Sequence, residues 1–213
     1  MIKKWALLSL STIPLVLTGC DSENLENLQE SSTEIDRVKD ETVETFNQLG
    51  SLEADLQGHF DATLESDADL ATFGDETSPV FENIESREEL VSELEDKQSE
   101  FEDYQDTLSD YDGELLDHDE VAAVNEAVDT FNSHLSSYLE NYRTSLTTQR
   151  DYFTGLASEE ATYEEFVDGI NGINEERQTL IQSIPEMDKA LVDIDDRLET
   201  LQSSIDDQLS EEE

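Results

Sequence analysis

Apolar residues recur along this chain at spacings that alternate between three and four positions. Four such segments can be traced, over residues 35–60, 80–115, 121–156 and 166–205. This spacing places the apolar side chains of each segment along one face of a helix. No segment shows the sustained two-residue alternation that is typical of a half-buried strand. The pattern predicts an all-α fold.

The joints between the segments contain helix-capping signals. Ser78 is suited to cap a helix whose first residue is Pro79, where the missing amide costs nothing. Thr162 and Glu165 have the spacing of a capping box. Because the joints are short, successive helices are expected to run antiparallel. The sequence predicts an elongated antiparallel four-helix bundle with coiled-coil-like packing.

The fourth segment contains three residues that disfavour a helix. The apolar register continues across Pro185, which favours a kinked helix over a reversal of the chain. Gly169 and Gly172 weaken the start of the segment and could delay the helix to about Asn174. A fourth helix in two pieces is therefore an open alternative.

The first twenty residues have the layout of a lipoprotein signal. Two lysines are followed by an apolar run and then by the sequence Leu17, Thr18, Gly19 and Cys20. The run spans about 20 Å as a helix, which is short of the roughly 30 Å hydrocarbon core. The tetrapeptide resembles the lipobox of bacterial lipoproteins, which implies a diacylglyceryl group on Cys20 and cleavage before it. The alternative is an ordinary secreted protein with a chance cysteine near its cleavage site.

A lipid on Cys20 would place the mature chain on the extracytoplasmic face of the cell membrane, since two acyl chains suffice for stable anchoring. Cys20 is the only cysteine, so disulfides and cysteine-ligated metals are excluded from the rest of the chain. The sequence divides into a lipoprotein signal peptide (1–19), a lipidated cysteine with its tether (20–30), a helical bundle domain (31–209) and an acidic tail (210–213).

The chain is strongly acidic, with 56 acidic and 11 basic residues. Its formal charge of −45 becomes −47 when a signal with two lysines and no acid is removed. Acidic residues follow one another at four-residue spacing, as at Glu85, Glu89 and Glu93, and such neighbours repel. The surface opposes binding to nucleic acid and to anionic lipid headgroups. Adaptation to high external salinity is one interpretation, and a generic solubilising surface is the other.

No pattern in the sequence indicates catalysis or a cofactor. The three histidines lie outside any zinc-binding motif, and no nucleophile motif or phosphate-binding glycine loop is present. Acids gather around Asp110, Asp112 and Asp117, but Gly113 does not fit the twelve-residue EF-hand loop. Weak, nonspecific binding of divalent cations is the most that this cluster indicates. We expect no enzyme, no structured metal site and no cofactor.

The chain resembles the YkyA-like family of Firmicute lipoproteins, which are described as cell-wall-binding. The lipobox, the four helical segments, the stretch 78–84 with Arg87 after it, and the stretches 163–166 and 173–174 bear this resemblance. It covers nearly the whole mature chain. It implies a Gram-positive envelope, an all-helical ectodomain and no established enzymatic activity.

These observations predict a lipid-anchored, non-enzymatic helical lipoprotein that associates with the cell wall or the envelope. The expected partners are the membrane, through the lipid on Cys20, and either the wall or an envelope protein. The alternative is a membrane-anchored scaffold for another envelope protein. A solute-binding receptor shares the anchor, but it needs alternating strands and helices that this sequence does not show.

Overall fold

A computed structural model describes the backbone of residues 19–211 and the side chains of residues 24–211. This part of the chain forms five helices and no strand, which confirms the all-α prediction. Four of the helices are long, and the fifth is a single turn in the joint between the first two long ones. The helices are α1 (Gly19–Ser66), α2 (Ala71–Gly74), α3 (Pro79–Ser109), α4 (His118–Gly155) and α5 (Tyr163–Glu211).

The predicted caps start two of these helices. The Ser78 hydroxyl accepts a hydrogen bond from the amide of Val80 at 3.3 Å, and Pro79 is the first residue of α3. At α5 the amide of Glu165 donates to the Thr162 hydroxyl at 3.2 Å, and the Thr162 amide donates to the Glu165 carboxylate at 2.9 Å. Both motifs satisfy amides that a helix leaves without partners at its start.

Contacts between the long helices show that neighbours run antiparallel. Asn83 near the start of α3 donates to the carbonyl of Leu52 late in α1, at 2.7 Å. Tyr104 near the end of α3 donates to Glu34 early in α1, at 3.3 Å. The same crossed order joins α3 to α4 and α5 to α1. Each long helix packs on two others in the order α1, α3, α4, α5 and back to α1, which confirms the antiparallel four-helix bundle.

The core runs along the bundle axis and ends in a cluster of aromatic rings. Short helix α2 brings Phe73 into this cluster, where its side chain is fully buried. Ring centroids of neighbouring members lie 5.5 to 6.3 Å apart, within the range of favourable aromatic pairs. The cluster consists of Phe60, Phe73, Phe81, Phe153 and Phe166. All apolar side chains that are buried in the described part lie between Leu25 and Ile205, so a chain that starts at residue 21 retains them.

Helix α1 includes the segment that the sequence assigned to a tether. The helix begins at Gly19, and the side chains of Leu25 and Leu28 are buried in the core. Packing therefore begins within residues 20–30. At the other end α5 continues to Glu211, into the segment assigned to an acidic tail. The signal residues 1–18 and the last two residues lie outside the described part.

Helix α5 is continuous through all three disfavoured positions. It begins at Tyr163, eleven residues before Asn174, and it passes Gly169, Gly172 and Pro185 without a break. Helix four is therefore one piece. The capping box fixes its first turn, and packing on α4 holds the turn that follows, where the Tyr152 hydroxyl donates to the Phe166 carbonyl at 3.0 Å.

Helix α3 is shorter than the apolar pattern of the second segment indicated. It ends at Ser109, and residues 110–117 connect it to α4. Tyr111 and Leu116 in this connection are nevertheless buried, and the Leu116 amide donates to the Tyr111 hydroxyl at 3.0 Å. The apolar residues after Ser109 therefore cover the end of the bundle, outside any helix.

A cluster of ion pairs joins α1 to α3 on the outside of the bundle. Arg37 contacts Glu34, Glu41 and Glu100 at 2.7 to 2.9 Å, and Lys97 contacts Glu41 and Glu100 at 2.7 to 2.8 Å. Hydrogen bonds from Lys97 and Arg37 lower the pKa of the Glu41 carboxyl below its ordinary value. The cluster is half exposed, so solvent screens it and its main effect is on the alignment of the two helices.

Candidate binding groove

The two helices that close the bundle, α1 and α5, leave a groove between them. Two adjoining cavities of about 460 and 250 Å³ lie along it, and they are lined by α1 residues 43–61 and α5 residues 166–191. Phe153 and Tyr138 of α4 form part of the floor. We call this feature the α1–α5 groove. Its apolar lining consists of Val43, Phe46, Ala54, Leu56, Phe60, Tyr138, Phe153, Phe166, Ile170, Ile173, Ile184, Met187 and Leu191.

The groove exists because the two halves of α5 pack differently. No side chain in residues 163–179 is buried, although Phe166, Ile170 and Ile173 face the groove and are half-buried. Beyond Pro185 the helix buries a regular apolar stripe that includes Ile194. The seam between α1 and α5 is therefore closed at one end of the bundle and open at the other.

The groove has one carboxylate at its centre. Glu53 lines both cavities, and its side chain is 17% exposed. Its nearest cationic group is the Arg177 guanidinium, whose Nε lies 3.6 Å from Oε2, which is too long for a hydrogen bond. Burial raises the pKa of the Tyr138 hydroxyl above its ordinary value, and the Glu53 carboxylate raises it further. Asp61 and Asp188 add negative charge towards the two ends of the groove.

A buried arginine lies in the bundle interior. The Arg87 side chain is 1% exposed, and its guanidinium donates to the Gln149 side-chain carbonyl at 2.7 Å and to the Tyr142 hydroxyl at 3.5 Å. Its Nε has no hydrogen-bond partner among the described residues. Burial raises the pKa of Tyr142 above its ordinary value; Arg87 opposes this increase and Glu53 adds to it. These groups share one polar region of the interior.

The residues that bear the family resemblance divide between the core and the open half of α5. Ser78, Val80, Phe81, Asn83 and Ile84 are all buried, as is Arg87. These six residues hold α1, α3 and α4 together and account for the shared fold. In the stretches 163–166 and 173–174 no side chain is buried, and Phe166, Ile173 and Asn174 line the groove. The aromatic side chains of α4 are buried at Phe131, Tyr138, Tyr142 and Phe153 and half-buried at Tyr152.

The histidines lie apart from one another and from the groove lining. His59 on α1 and His134 on α4 are half-buried, and His118 is exposed as the first residue of α4, with its ring 5.3 Å from that of Tyr111. Within residues 24–211 no group of three or more histidine, cysteine or acidic side chains is arranged to hold a metal ion. The lining of the groove offers carboxylates, amides and one guanidinium, which are binding groups.

The predicted lipid attachment site lies at the edge of the described chain. Leu17 and Thr18 fall outside it, and Gly19 and Cys20 are the first two residues of α1, without a description of their side chains. The lipobox therefore remains a prediction from the sequence. Among residues 19–211, no helix is both long enough and apolar enough to cross a membrane.

Comparison with known families identifies the chain. Residues 23–204 match the YkyA family, whose description reads "putative cell-wall binding lipoprotein". The chain belongs to the YkyA family. The match spans the four long helices almost completely, which confirms the resemblance inferred from the sequence. Comparisons with curated proteins and with solved structures found no match.

The description of the YkyA family is consistent with a lipoprotein of the cell envelope.

The α1–α5 groove was not predicted from the sequence. Its apolar lining residues belong to the same stripes as the core, so periodicity alone does not separate them. The one available signal was the pair of glycines and the proline within α5, which marks the half of that helix with the weaker packing.

Proposed function

We propose that this chain is a non-enzymatic lipoprotein, held on the extracytoplasmic face of the cell membrane by a lipid on Cys20, whose helical bundle associates with the cell wall. The observation that carries the proposal is the family match over residues 23–204, which begins just after the lipobox cysteine. The description of the family as wall-binding, together with the absence of a nucleophile motif in the sequence, supports a binding role.

The charge of the chain sets a condition on wall association. Gram-positive walls contain teichoic phosphates, and a mature chain of about −47 is repelled by them at low ionic strength. Contact with the wall then depends on salt, which screens the repulsion, or on divalent cations, which bridge carboxylates and phosphates. The acidic surface thus makes wall association dependent on ionic conditions.

We expect the chain from residue 21 to pellet with purified sacculi in 1 M NaCl or in millimolar Mg²⁺, and to stay in the supernatant in dilute buffer with a chelator. Co-sedimentation across these conditions measures this. Sacculi stripped of teichoic acid are the matched control, and they should bind in dilute buffer as well because the repelling phosphates are gone. Absence of pelleting under every condition would contradict wall association.

We expect Cys20→Ala to abolish lipidation and leave an unprocessed precursor or a released protein. Metabolic labelling with a radioactive fatty acid, followed by membrane fractionation, measures both. Ser22→Ala is the matched control, because it alters a neighbouring residue and retains the thiol. A labelled acyl chain on the Cys20→Ala variant would show that the lipid is attached elsewhere.

A second candidate function is that of a scaffold for another envelope protein. The observation that favours it is the α1–α5 groove, which exposes apolar side chains over the open half of the bundle seam. Clefts of this kind between helices are common binding sites, since burial of apolar surface provides affinity.

A further inference from the structure

We propose that the α1–α5 groove binds a cationic amphipathic helix of a partner protein. This inference rests on the second candidate function, that of a scaffold, and it supplies the chemistry of the partner. Three properties of the groove support it, namely its length, its incomplete packing and its charge.

The length of the groove fits a helix of about five turns. The α1 side of the lining extends from Val43 to Asp61, which at 1.5 Å per residue is about 27 Å. A helix of about 18 residues has the same length. A ligand with apolar side chains three and four residues apart places them in one line, as the walls of the groove require.

The groove lacks one row of side chains that a closed bundle seam would have. At the closed end, residues such as Ile194, Leu198 and Leu201 of α5 are buried. At the open end, Ile170 and Ile173 are only half-buried, and Ile184 is 44% exposed. An added helix would cover these side chains and complete the packing that α5 begins beyond Pro185. The expected gain is about 25 cal/mol for each Å² of apolar surface removed from water.

The charge of the groove selects a cationic ligand. Glu53 lies midway between the ends of the groove and is largely shielded from water. The Arg177 guanidinium comes no closer to it than 3.6 Å, so the carboxylate makes no hydrogen bond to that group. A lysine or arginine on the polar edge of a bound helix can pair with this carboxylate, and others can reach Asp61 and Asp188. The field of a strongly acidic chain attracts cationic partners over long distances and raises their association rate.

The same charge disfavours the other candidate occupants. A second copy of this chain would bring together two surfaces of about −47 each, which repel strongly at low salt. Anionic wall polymers are repelled in the same way. A neutral apolar helix would cover the Glu53 carboxylate and leave it with the Arg177 guanidinium at 3.6 Å and no new hydrogen bond, and burial of a charge without hydrogen bonds is costly.

The test uses a synthetic 18-residue peptide with leucines at positions three and four apart, lysines on the opposite face, and one tryptophan among the leucines. The only tryptophan of the chain is Trp5, so the bundle from residue 21 has none and the fluorescence reports the peptide alone. A scrambled peptide of identical composition is the control for nonspecific attraction between opposite charges. Titrations at 0.5 M NaCl suppress that attraction further.

Two pairs of variants locate the binding site on the bundle. Ile173→Asn alters the groove lining, whereas Ile181→Asn alters an exposed isoleucine of α5 outside that lining. Glu53→Gln and Glu44→Gln remove one negative charge each from α1, the first inside the groove and the second outside it. The glutamine variants leave the apolar packing intact, so they remain informative if Ile173→Asn fails to fold.

We expect saturable one-to-one binding of the helical peptide with a blue shift of its tryptophan emission. Ile173→Asn should weaken the affinity for the peptide at least tenfold and Glu53→Gln about three- to tenfold, while both control variants bind the peptide as the parent does.

Equal binding of the scrambled peptide, or equal loss of affinity in the groove variants and the control variants, would overturn the proposal. So would a groove-dependent dimer in sedimentation equilibrium, or loss of sacculus binding in the Ile173→Asn variant, since either would assign the groove to another occupant. If the chain does not pellet with sacculi but binds the helical peptide as described, wall association is contradicted and the groove proposal is not.

Discussion

An increase in NaCl from 10 mM to 1 M should raise the thermal midpoint of the bundle by about 10 °C. The reason is repulsion between carboxylates of neighbouring turns, as on the face of α3 that carries Glu85, Glu89 and Glu93. Each pair of carboxylates four residues apart on a helix lowers the free energy of unfolding by about 0.2–0.5 kcal/mol at low salt. About ten such pairs together lower it by about 3 kcal/mol. In a chain of this size 1 kcal/mol shifts the midpoint by about 2–4 °C.

Salt also weakens the favourable ion pairs, and the sign of the result depends on which effect is larger. Cations are few, and exposed pairs, such as Arg143 with Glu95, are worth about 0–1 kcal/mol each. Acidic residues outnumber basic ones five to one in the whole chain, so most carboxylates have no cation to lose. The repulsion that salt removes is therefore larger than the attraction that it removes, and the net effect of salt is to stabilise the bundle.

Thermal melts followed by circular dichroism measure this effect, with choline chloride at equal ionic strength as a control for ion-specific effects. Most of the rise is expected below about 0.2 M, where the Debye length has already fallen below about 10 Å. Glu89→Lys places a cation between Glu85 and Glu93. It should raise the midpoint at 10 mM NaCl and have little effect at 1 M. A midpoint that stays level or falls with salt would contradict the dominance of repulsion.

The second large effect is a contrast between two glycines three residues apart in α5. Gly172→Ala should stabilise the bundle by about 0.5–1 kcal/mol, because alanine is the better helix former and its methyl group meets no atom within 4 Å. Gly169→Ala should instead destabilise it by about 1–2 kcal/mol. The added methyl group would overlap the ring of Tyr152, and such overpacking costs about 1–3 kcal/mol.

A double-mutant cycle with Tyr152 identifies the cause of the contrast. In the Tyr152→Ala background the obstructing ring is absent, so Gly169→Ala should become as stabilising as Gly172→Ala. Urea melts of the single and double variants supply the free energies of unfolding. Equal effects of the two glycine substitutions in the parent protein would show that the Tyr152 ring moves aside without cost.

Local signals in the sequence were sufficient for the helices and for two of their starts. The apolar period locates the four long helices, and the caps at Ser78 and Thr162 depend only on residues within one turn. The continuity of α5 was harder to predict. A proline in a helix indicates a lost hydrogen bond, but whether the helix continues past Pro185 depends on how strongly its two halves pack on α1 and α4.

Isolated side chains outside the pattern could not be assigned from the sequence. Phe73 stands alone in a polar joint, without periodic neighbours, yet it fills the centre of the aromatic cluster. Arg87 carries a charge, and charged residues are rarely buried, yet it lies in the interior with Gln149 and Tyr142. Both positions depend on residues that are distant in sequence, and so does the groove, which is set by the separation of α1 and α5.

The continuity of α1 fixes how far the groove stands from the membrane. Helix α1 runs without interruption from Gly19, so about 50 Å of rigid rod separates Cys20 from Glu53. If Cys20 is held at the bilayer surface and the rod stands upright, short extracellular loops of an integral membrane protein are too low to reach the groove. The partners within reach are secreted proteins, proteins attached to the wall, and membrane proteins with tall ectodomains.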